Sequence, residues 1–109
     1  MAKYRKKVIV EAFQYDGDLK GSDGNYYVPE WAVKAYKAGI LYYHEIYRNN
    51  SPELLIRTTM EDSEIVSVGD YIICGVTGEL YPCKKEIFEK TYEQVNYVKE
   101  EAYEDSKSN

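Results

Sequence analysis

Residues 68–92 have the sequence VGDYIICGVTGELYPCKKEIFEKTY, and this stretch decides the fold. Gly69-Asp70 predicts a turn, and the apolar run at residues 71–76 predicts a buried strand. Thr77-Gly78 then predicts a two-residue turn into a second strand at residues 79–81. The stretch therefore predicts an antiparallel hairpin with short connections.

The end of the same stretch predicts a short helix. Pro82 is expected to end strand pairing, because proline has no amide donor. Residues 84–92 follow as a helix whose start near Lys85 the sequence leaves open. The side chains spaced to face the sheet are Ile87, Phe88 and Thr91.

The distance between the two cysteines depends on the register of this hairpin. In the two-residue register, Cys74 pairs with Tyr81 and Ile72 with Cys83. Both sulfurs then lie on one sheet face, with α-carbons about 7 Å apart. That separation is at the limit for a disulfide, so pairing stays open, and in a reducing cytoplasm both are expected to be small buried apolar residues.

The remaining sequence predicts one α+β domain. Residues 7–15 have apolar groups on both faces, which indicates a strand that is central or covered on both sides. A loop at residues 16–25 leads to a helix with Pro29 at its first position and Gly39 as its C-terminal cap.

Further strands are predicted at residues 40–47, 53–59 and 63–68, with a turn at residues 48–52 and an edge strand at residues 95–98. The expected fold is a mostly antiparallel, curved sheet of five or six strands with two short helices. Residues 1–98 are expected to form the globular domain, and residues 99–109 a charged, frayed tail.

Composition limits the function. The net charge of −5 over 109 residues disfavours a general binder of nucleic-acid phosphates. An acidic face that imitates nucleic acid toward a basic partner is one interpretation of this charge, and solvated termini are the other. No apolar run reaches membrane-spanning length, and Glu11 interrupts the only signal-like start, so we expect a cytoplasmic protein without membrane contact.

No catalytic or metal signature is found. His44 is the only histidine, which excludes zinc sites and triads that need several. The acidic loop at residues 16–23 lacks the Glu that closes a calcium loop. A Cys–His pair, or an acid–base pair among residues 61–64, is formally open, but we expect no enzyme, no metal and no cofactor.

Candidate binding residues come from the thirteen tyrosines, which suit either sheet faces or protein-binding surfaces. Tyr42, Tyr43 and Tyr47 are predicted to contact a protein partner. Stacking of nucleic-acid bases on them is disfavoured, because no basic surround accompanies them. For a small ligand or nucleotide in a pocket between sheet and helix, the predicted polar residues are Asp70, Tyr71 and Tyr81.

Three segments carry a resemblance to a known group. They are YRKKVIVEAFQYDGD at residues 4–18, PEWAV at residues 29–33 and the stretch at residues 68–92. Together they resemble a widespread group of small phage and prophage proteins without an assigned function. Members usually carry proline between the basic start and the first strand, and at the position of Lys85; this chain has neither.

The resemblance implies a context rather than a chemistry. Phage accessory proteins of this size often bind and inhibit a bacterial protein, including CRISPR nucleases and other defence enzymes. We therefore expect a non-enzymatic binder of a bacterial host protein, with a small-ligand or nucleotide-binding module as the alternative. Edge strands and tyrosines also permit a homodimer without requiring one.

Overall fold

A computed structural model describes residues 1–5, 7–45 and 52–95. The predicted turn at residues 48–52, most of the strand at residues 95–98, the tail and Tyr47 lie outside this part of the chain. The fold class is α+β. In chain order the elements are β1 (Glu11–Gln14), α1 (Glu30–Lys37), β2 (Leu41–Glu45), β3 (Pro52–Arg57), β4 (Ser63–Val66), β5 (Tyr71–Cys74), β6 (Leu80–Cys83) and α2 (Lys85–Thr91).

The strands form two antiparallel three-stranded sheets, ordered β1-β5-β6 and β2-β3-β4, where one curved sheet was predicted. Strand β6 lies against β3 and β4, but no described strand pairing joins the sheets. Pro82 supplies a physical reason, because it leaves the outer edge of β6 without one ladder donor.

The hydrophobic core lies between the two sheets and α1. Helix α1 contributes Ala32 and Ala35, both buried, and packs against β2. The core cluster consists of Tyr15, Leu19, Ala32, Ala35, Leu41, Leu54, Ile56, Val66, Ile72 and Leu80. Burial of these apolar side chains is the main stabilising term of the fold.

Strand β1 is shorter than predicted and lies at a sheet edge, not at its centre. After Gln14 the backbone continues to bond with the turn before β5: the Tyr15 N–H donates to the Asp70 carbonyl at 2.8 Å, and the Gly69 N–H donates to the Tyr15 carbonyl at 2.8 Å. The apolar residues that suggested a central strand include Val8 and Ile9, which remain about half exposed.

Helix α1 begins one residue later than predicted and ends at the predicted cap. Pro29 is the N-cap, one position earlier than expected. At the other end, Gly39 has φ +83°, the Gly39 N–H donates to the Tyr36 carbonyl at 3.2 Å, and the Ile40 N–H donates to the Ala35 carbonyl at 2.9 Å. This is a Schellman cap, which requires the left-handed conformation that glycine adopts without strain.

The β5–β6 hairpin is out of the predicted register by one residue. Cys74 lies opposite Leu80, and Tyr71 lies opposite Cys83. The Gly75 N–H donates to the Glu79 carbonyl at 2.8 Å, so the loop has three residues, with φ +88° at Gly78. Three-residue loops of this kind are the next most common hairpin connection after two-residue turns.

This register moves the cysteines apart and keeps Pro82 in the strand. Cys74 points to the core face, whereas Cys83 lies beside Tyr71 on the opposite face, so the same-face prediction is wrong. Both are free and half-buried. Pro82 lies opposite Ile72 at a non-hydrogen-bonded position, where no donor toward β5 is needed.

Helix α2 begins at Lys85 after an extended N-cap at Lys84. Only Phe88 of the three predicted side chains faces the sheet, where its ring stacks on Tyr71 at 3.9 Å. Ile87 is 57% exposed, and Thr91 is exposed with its hydroxyl donating to the Ile87 carbonyl at 2.7 Å. With seven residues, this helix is too short to present a full apolar stripe.

Candidate interaction surfaces

Tyr42 and Tyr43 do not share a surface. They are neighbours on β2, and successive strand residues point to opposite faces. Tyr43 lies opposite Leu54, on the core side, whereas Tyr42 lies opposite Leu55, on the outer side. The structure therefore separates two residues that were predicted to act together.

Tyr43 belongs to an interior network. Its hydroxyl shares a 3.2 Å hydrogen bond with the hydroxyl of Tyr15, which is buried, and its ring meets Tyr36 edge-on at 6.1 Å. Burial raises the pKa of both Tyr15 and Tyr43 above the ordinary tyrosine value, with the shared hydrogen bond adding to the shift at Tyr43. These contacts give Tyr43 a structural role.

Tyr42 lies on an exposed sheet surface, which we call the outer face of β2–β3–β4. Tyr42, Leu55 and Ile65 are directly opposite one another across the three strands. Ile65 is 50% exposed. Every residue that this sheet gives to the core cluster comes from the other face: Leu41, Leu54, Ile56 and Val66.

Polar groups hold Tyr42 in place on this face. Its hydroxyl donates to Ser63 Oγ at 2.7 Å, and the Arg57 guanidinium lies 5.0 Å from its ring centroid. Both neighbours lie at the same end of the sheet. At the other end, Glu53 lies opposite His44.

The turn between β3 and β4 presents an apolar side chain to solvent. Met60 at its apex is 92% exposed. The Thr58 N–H donates to the Asp62 carbonyl at 3.0 Å, and Thr59 Oγ1 accepts the N–H groups of Glu61 and Asp62 at 3.2 and 3.0 Å. The backbone of this turn is therefore held by its own side chains, an ST-turn arrangement.

Asp70 is a buried carboxylate with partners from its own chain. Its Oδ2 accepts the Ser67 N–H at 2.9 Å and lies 3.3 Å from Lys84 Nζ. These contacts hold the turn before β5 and tie it to the start of α2. As a predicted ligand-binding residue, Asp70 thus has its acceptor occupied by structural contacts.

Tyr71 and Tyr81 are brought together on the α2 side of their sheet. Phe88 lies between Tyr71 and Tyr92, with centroid distances of 3.9 and 4.9 Å. Burial, with a hydrogen bond to Tyr92, raises the pKa of Tyr81 to about 12. The four rings form an aromatic cluster that attaches α2 to the sheet.

Two grooves lie elsewhere, on either side of Ile40 and Leu80. One, of about 360 Å³, runs between the start of β2 and the β5–β6 hairpin and includes Arg57 and Tyr81. The other, of about 290 Å³, lies between α1 and the same hairpin and includes Trp31 and Lys34. Of the predicted ligand-binding residues, Tyr81 lines the first of these two grooves, and Asp70 and Tyr71 line neither.

Within the ranges described, no group of three or more His, Cys, Asp or Glu side chains is placed to hold a metal ion. Burial raises the pKa of the Cys74 and Cys83 thiols, which lowers the fraction of reactive thiolate. No helix in that part of the chain has the length and apolar character needed to cross a membrane.

Comparison with family models, with curated proteins and with solved structures finds no match to this chain. The surfaces therefore have to be judged by their own chemistry. The sequence predicts an acidic turn at Glu61-Asp62 but does not indicate Met60 as a contact residue. Strand alternation alone would have separated Tyr42 from Tyr43.

Proposed function

We propose that this chain is a non-catalytic binding domain for a bacterial protein, and that it contacts its partner through the β3–β4 turn. The observation that carries the proposal is a hydrogen-bonded turn whose apex, Met60, is 92% exposed. Methionine is enriched at protein interfaces because its unbranched thioether adapts to the shape of a pocket.

The turn supports binding because its conformation is already fixed. The Thr58 N–H donates to the Asp62 carbonyl, the Thr59 hydroxyl donates to the Asp62 carboxylate, and Thr59 Oγ1 accepts the Asp62 N–H. A segment that is ordered before binding loses less conformational entropy on association than a flexible one. A protruding apolar side chain on such a turn is suited to fill a concave pocket.

The charges beside Met60 define the partner chemistry. Glu61 and Asp62 follow it directly, and Glu64 is exposed on β4. A complementary surface has an apolar pocket bordered by Lys or Arg. This agrees with a partner that normally holds nucleic acid.

The class of partner rests on the resemblance to phage and prophage proteins. In that context we propose a host protein, with counter-defence inhibition of a bacterial nuclease as the expected activity. The acidic turn would then occupy a groove that is shaped and charged for nucleic acid.

The test begins with a tagged full chain mixed with lysates of Gram-positive bacteria that carry defence systems, and bound proteins are identified by mass spectrometry. The identified partner is then titrated with purified variants. Met60→Asp and Glu61→Lys are expected to weaken binding at least about tenfold, as loss of an interface anchor does.

Matched controls use the other hairpin and a distant acid. Val76→Asp changes an apolar side chain that is 63% exposed on the β5–β6 loop, and Glu93→Lys changes a charge outside both sheets. If all four variants bind the partner equally, the turn is not the contact and the proposal is wrong in its surface.

A small-ligand or nucleotide-binding module remains the second candidate. One observation favours it: the 360 Å³ groove places Arg57 and Tyr81 at the edge of an apolar surface. Thermal shift against a nucleotide panel tests this candidate, because a ligand at a hundred times its dissociation constant stabilises the fold by about 2.7 kcal/mol. No shift with any nucleotide would exclude that ligand class.

A further inference from the structure

The outer face of β2–β3–β4 has a symmetric arrangement of charge. Leu55 is at the centre of β3, and the side chains two residues to either side, Glu53 and Arg57, project from the same face. They lie about 7 Å from Leu55 in opposite directions along the strand. The face therefore carries one negative and one positive group placed evenly about an apolar centre.

The apolar centre extends across all three strands. Tyr42 and Ile65 flank Leu55 directly, so the row lies perpendicular to the strands and passes through the midpoint between the two charges. The row is partly open to solvent, since Ile65 is 50% exposed and Tyr42 and Leu55 are half-buried. Exposed apolar sheet surface of this kind is typical of interaction sites.

A two-fold axis along this row makes the face complementary to itself. If a second copy is rotated by half a turn about an axis parallel to the row and between the two faces, each residue of the row meets its own equivalent. The strand direction reverses, so Arg57 of one copy lies over Glu53 of the other, and the reverse pair forms at the opposite end. Such an interface is isologous, the commonest arrangement of homodimers.

The remaining groups on the face are compatible with this rotation. On this face Ser63 lies beside Arg57 and His44 lies beside Glu53. Among the described residues on this face of the three strands, the rotation brings no two like charges together. A two-fold axis parallel to β3 would instead place Arg57 against Arg57 and Glu53 against Glu53, so the charges select the axis along the apolar row.

We propose that this face binds a second copy of the chain, in a symmetric dimer formed by packing of the two sheets face to face. The contact is small, about three strands wide, and stable interfaces bury roughly 1,200 Å² of total surface or more. The dimer is therefore expected to be weak and concentration-dependent. Its specificity comes from the two Arg57–Glu53 contacts and its affinity from the apolar row.

Sedimentation equilibrium of the full chain at low salt, from about 5 to 500 µM, tests the proposal, with low salt chosen because screening weakens exposed charge pairs. The wild-type weight-average mass is expected to rise with concentration above the monomer mass of 12.7 kDa. Arg57→Glu alone, or Glu53→Arg alone, places like charges opposite each other twice and is expected to weaken the dimer at least about tenfold.

Two rescues distinguish the proposed geometry from a general loss of structure. The double variant Glu53→Arg/Arg57→Glu exchanges the charges and is expected to regain the dimer. An equimolar mixture of the two single variants is also expected to associate, because each like-charged face then meets its opposite. Lys34→Glu on α1, which is exposed and lies off this sheet, is the control for net charge and is expected to leave the dimer unchanged.

Ile65→Asp is expected to dissociate the dimer while the circular dichroism spectrum stays that of the wild type. A wild-type chain that remains monomeric at every concentration would refute the proposal, and so would a dimer that survives Arg57→Glu and Ile65→Asp. Absence of rescue in both the double variant and the mixture would refute the two-fold arrangement. Because the measurement needs no other protein, its outcome is independent of whether the Met60 turn binds a bacterial partner.

Discussion

The two leucines at the middle of β3 allow a direct test of the register. Leu54 points into the core and is 1% exposed, whereas Leu55, its neighbour, lies half-buried on the outer face. Leu54→Ala and Leu55→Ala remove the same atoms from adjacent positions of one strand. Any difference in the loss of stability therefore reports which face is buried.

The expected magnitudes follow from burial. Leu54→Ala removes three buried carbons, worth about 0.8 kcal/mol each in transfer, and leaves a cavity among Val66 and Tyr43, so the loss is expected to be about 3 kcal/mol. Leu55→Ala exposes its site to solvent and leaves no closed cavity. Because Leu55 is only half-buried, about half of the transfer free energy of the three carbons is lost, which predicts a loss of stability of about 1 kcal/mol.

Urea unfolding at about 2 µM, followed by the fluorescence of Trp31, measures both values under conditions where self-association is negligible. The midpoint is expected to fall about three times further for Leu54→Ala than for Leu55→Ala, with similar m-values. Equal losses, or a larger loss for Leu55→Ala, would mean that the strand is shifted by one residue, which exchanges every side chain between the two faces. That result would refute both the core and the outer face as described.

Three further expectations concern single contacts. Gly39→Ala is expected to lower the free energy of unfolding by about 1 kcal/mol, because alanine is strained at φ +83°, and urea unfolding measures it. Tyr43→Phe is expected to cost about 1 kcal/mol by leaving the buried Tyr15 hydroxyl without this partner; a loss no larger than that of Tyr42→Phe would contradict it. Burial raises the folded-state pKa of Tyr15 above the unfolded value of about 10 and that of Tyr81 to about 12, so the stability they contribute is complete below about pH 10 and is lost as the pH rises through the folded-state values. The urea midpoint is therefore expected to fall between pH 10 and 12, and to fall less in Tyr81→Phe.

Local rules explain the elements that the sequence predicts well. Helix α1 is bounded by Pro29 and Gly39, each of which acts through the conformation of its own backbone. The turn at Gly69-Asp70 is equally local, and the Ser67 N–H bond to Asp70 confirms it. Such features need no knowledge of the distant chain.

Features that depend on one backbone angle or on distant contacts were missed. Thr77-Gly78 is compatible with either a two-residue or a three-residue loop, and the left-handed Gly78 in the structure selects the second. The loop is therefore one residue longer than predicted, which moves Cys83 to the opposite sheet face and away from Cys74. The division into two sheets depends on packing between strands far apart in sequence, which no local pattern encodes.

The predicted ligand-binding residues also depend on contacts with distant parts of the chain. Tyr71 and Tyr81 do meet on one sheet face, but with Phe88 and Tyr92 they form a packed aromatic cluster. Asp70 is predicted from sequence as a polar residue beside a turn, and its bond to Lys84 comes from the N-cap of a helix, fourteen residues later in the chain. Residue type alone does not distinguish a binding group from one that stabilises the fold.

The two proposed surfaces adjoin, and their geometry links them. Ser63 follows Asp62 at the end of the turn, and its Oγ accepts the Tyr42 hydroxyl on the outer face. The two-fold rotation reverses the strands, so it directs the Met60 turns of the two copies toward opposite ends of the dimer. A partner with one pocket would meet one turn, whereas an oligomeric partner of suitable spacing would meet both and gain avidity without any new contact. Ile65→Asp distinguishes the two cases, because it is expected to dissociate the dimer and leave one Met60 turn in each molecule. Affinity for a partner with one pocket is then expected to stay the same, and affinity for a partner with two pockets is expected to fall.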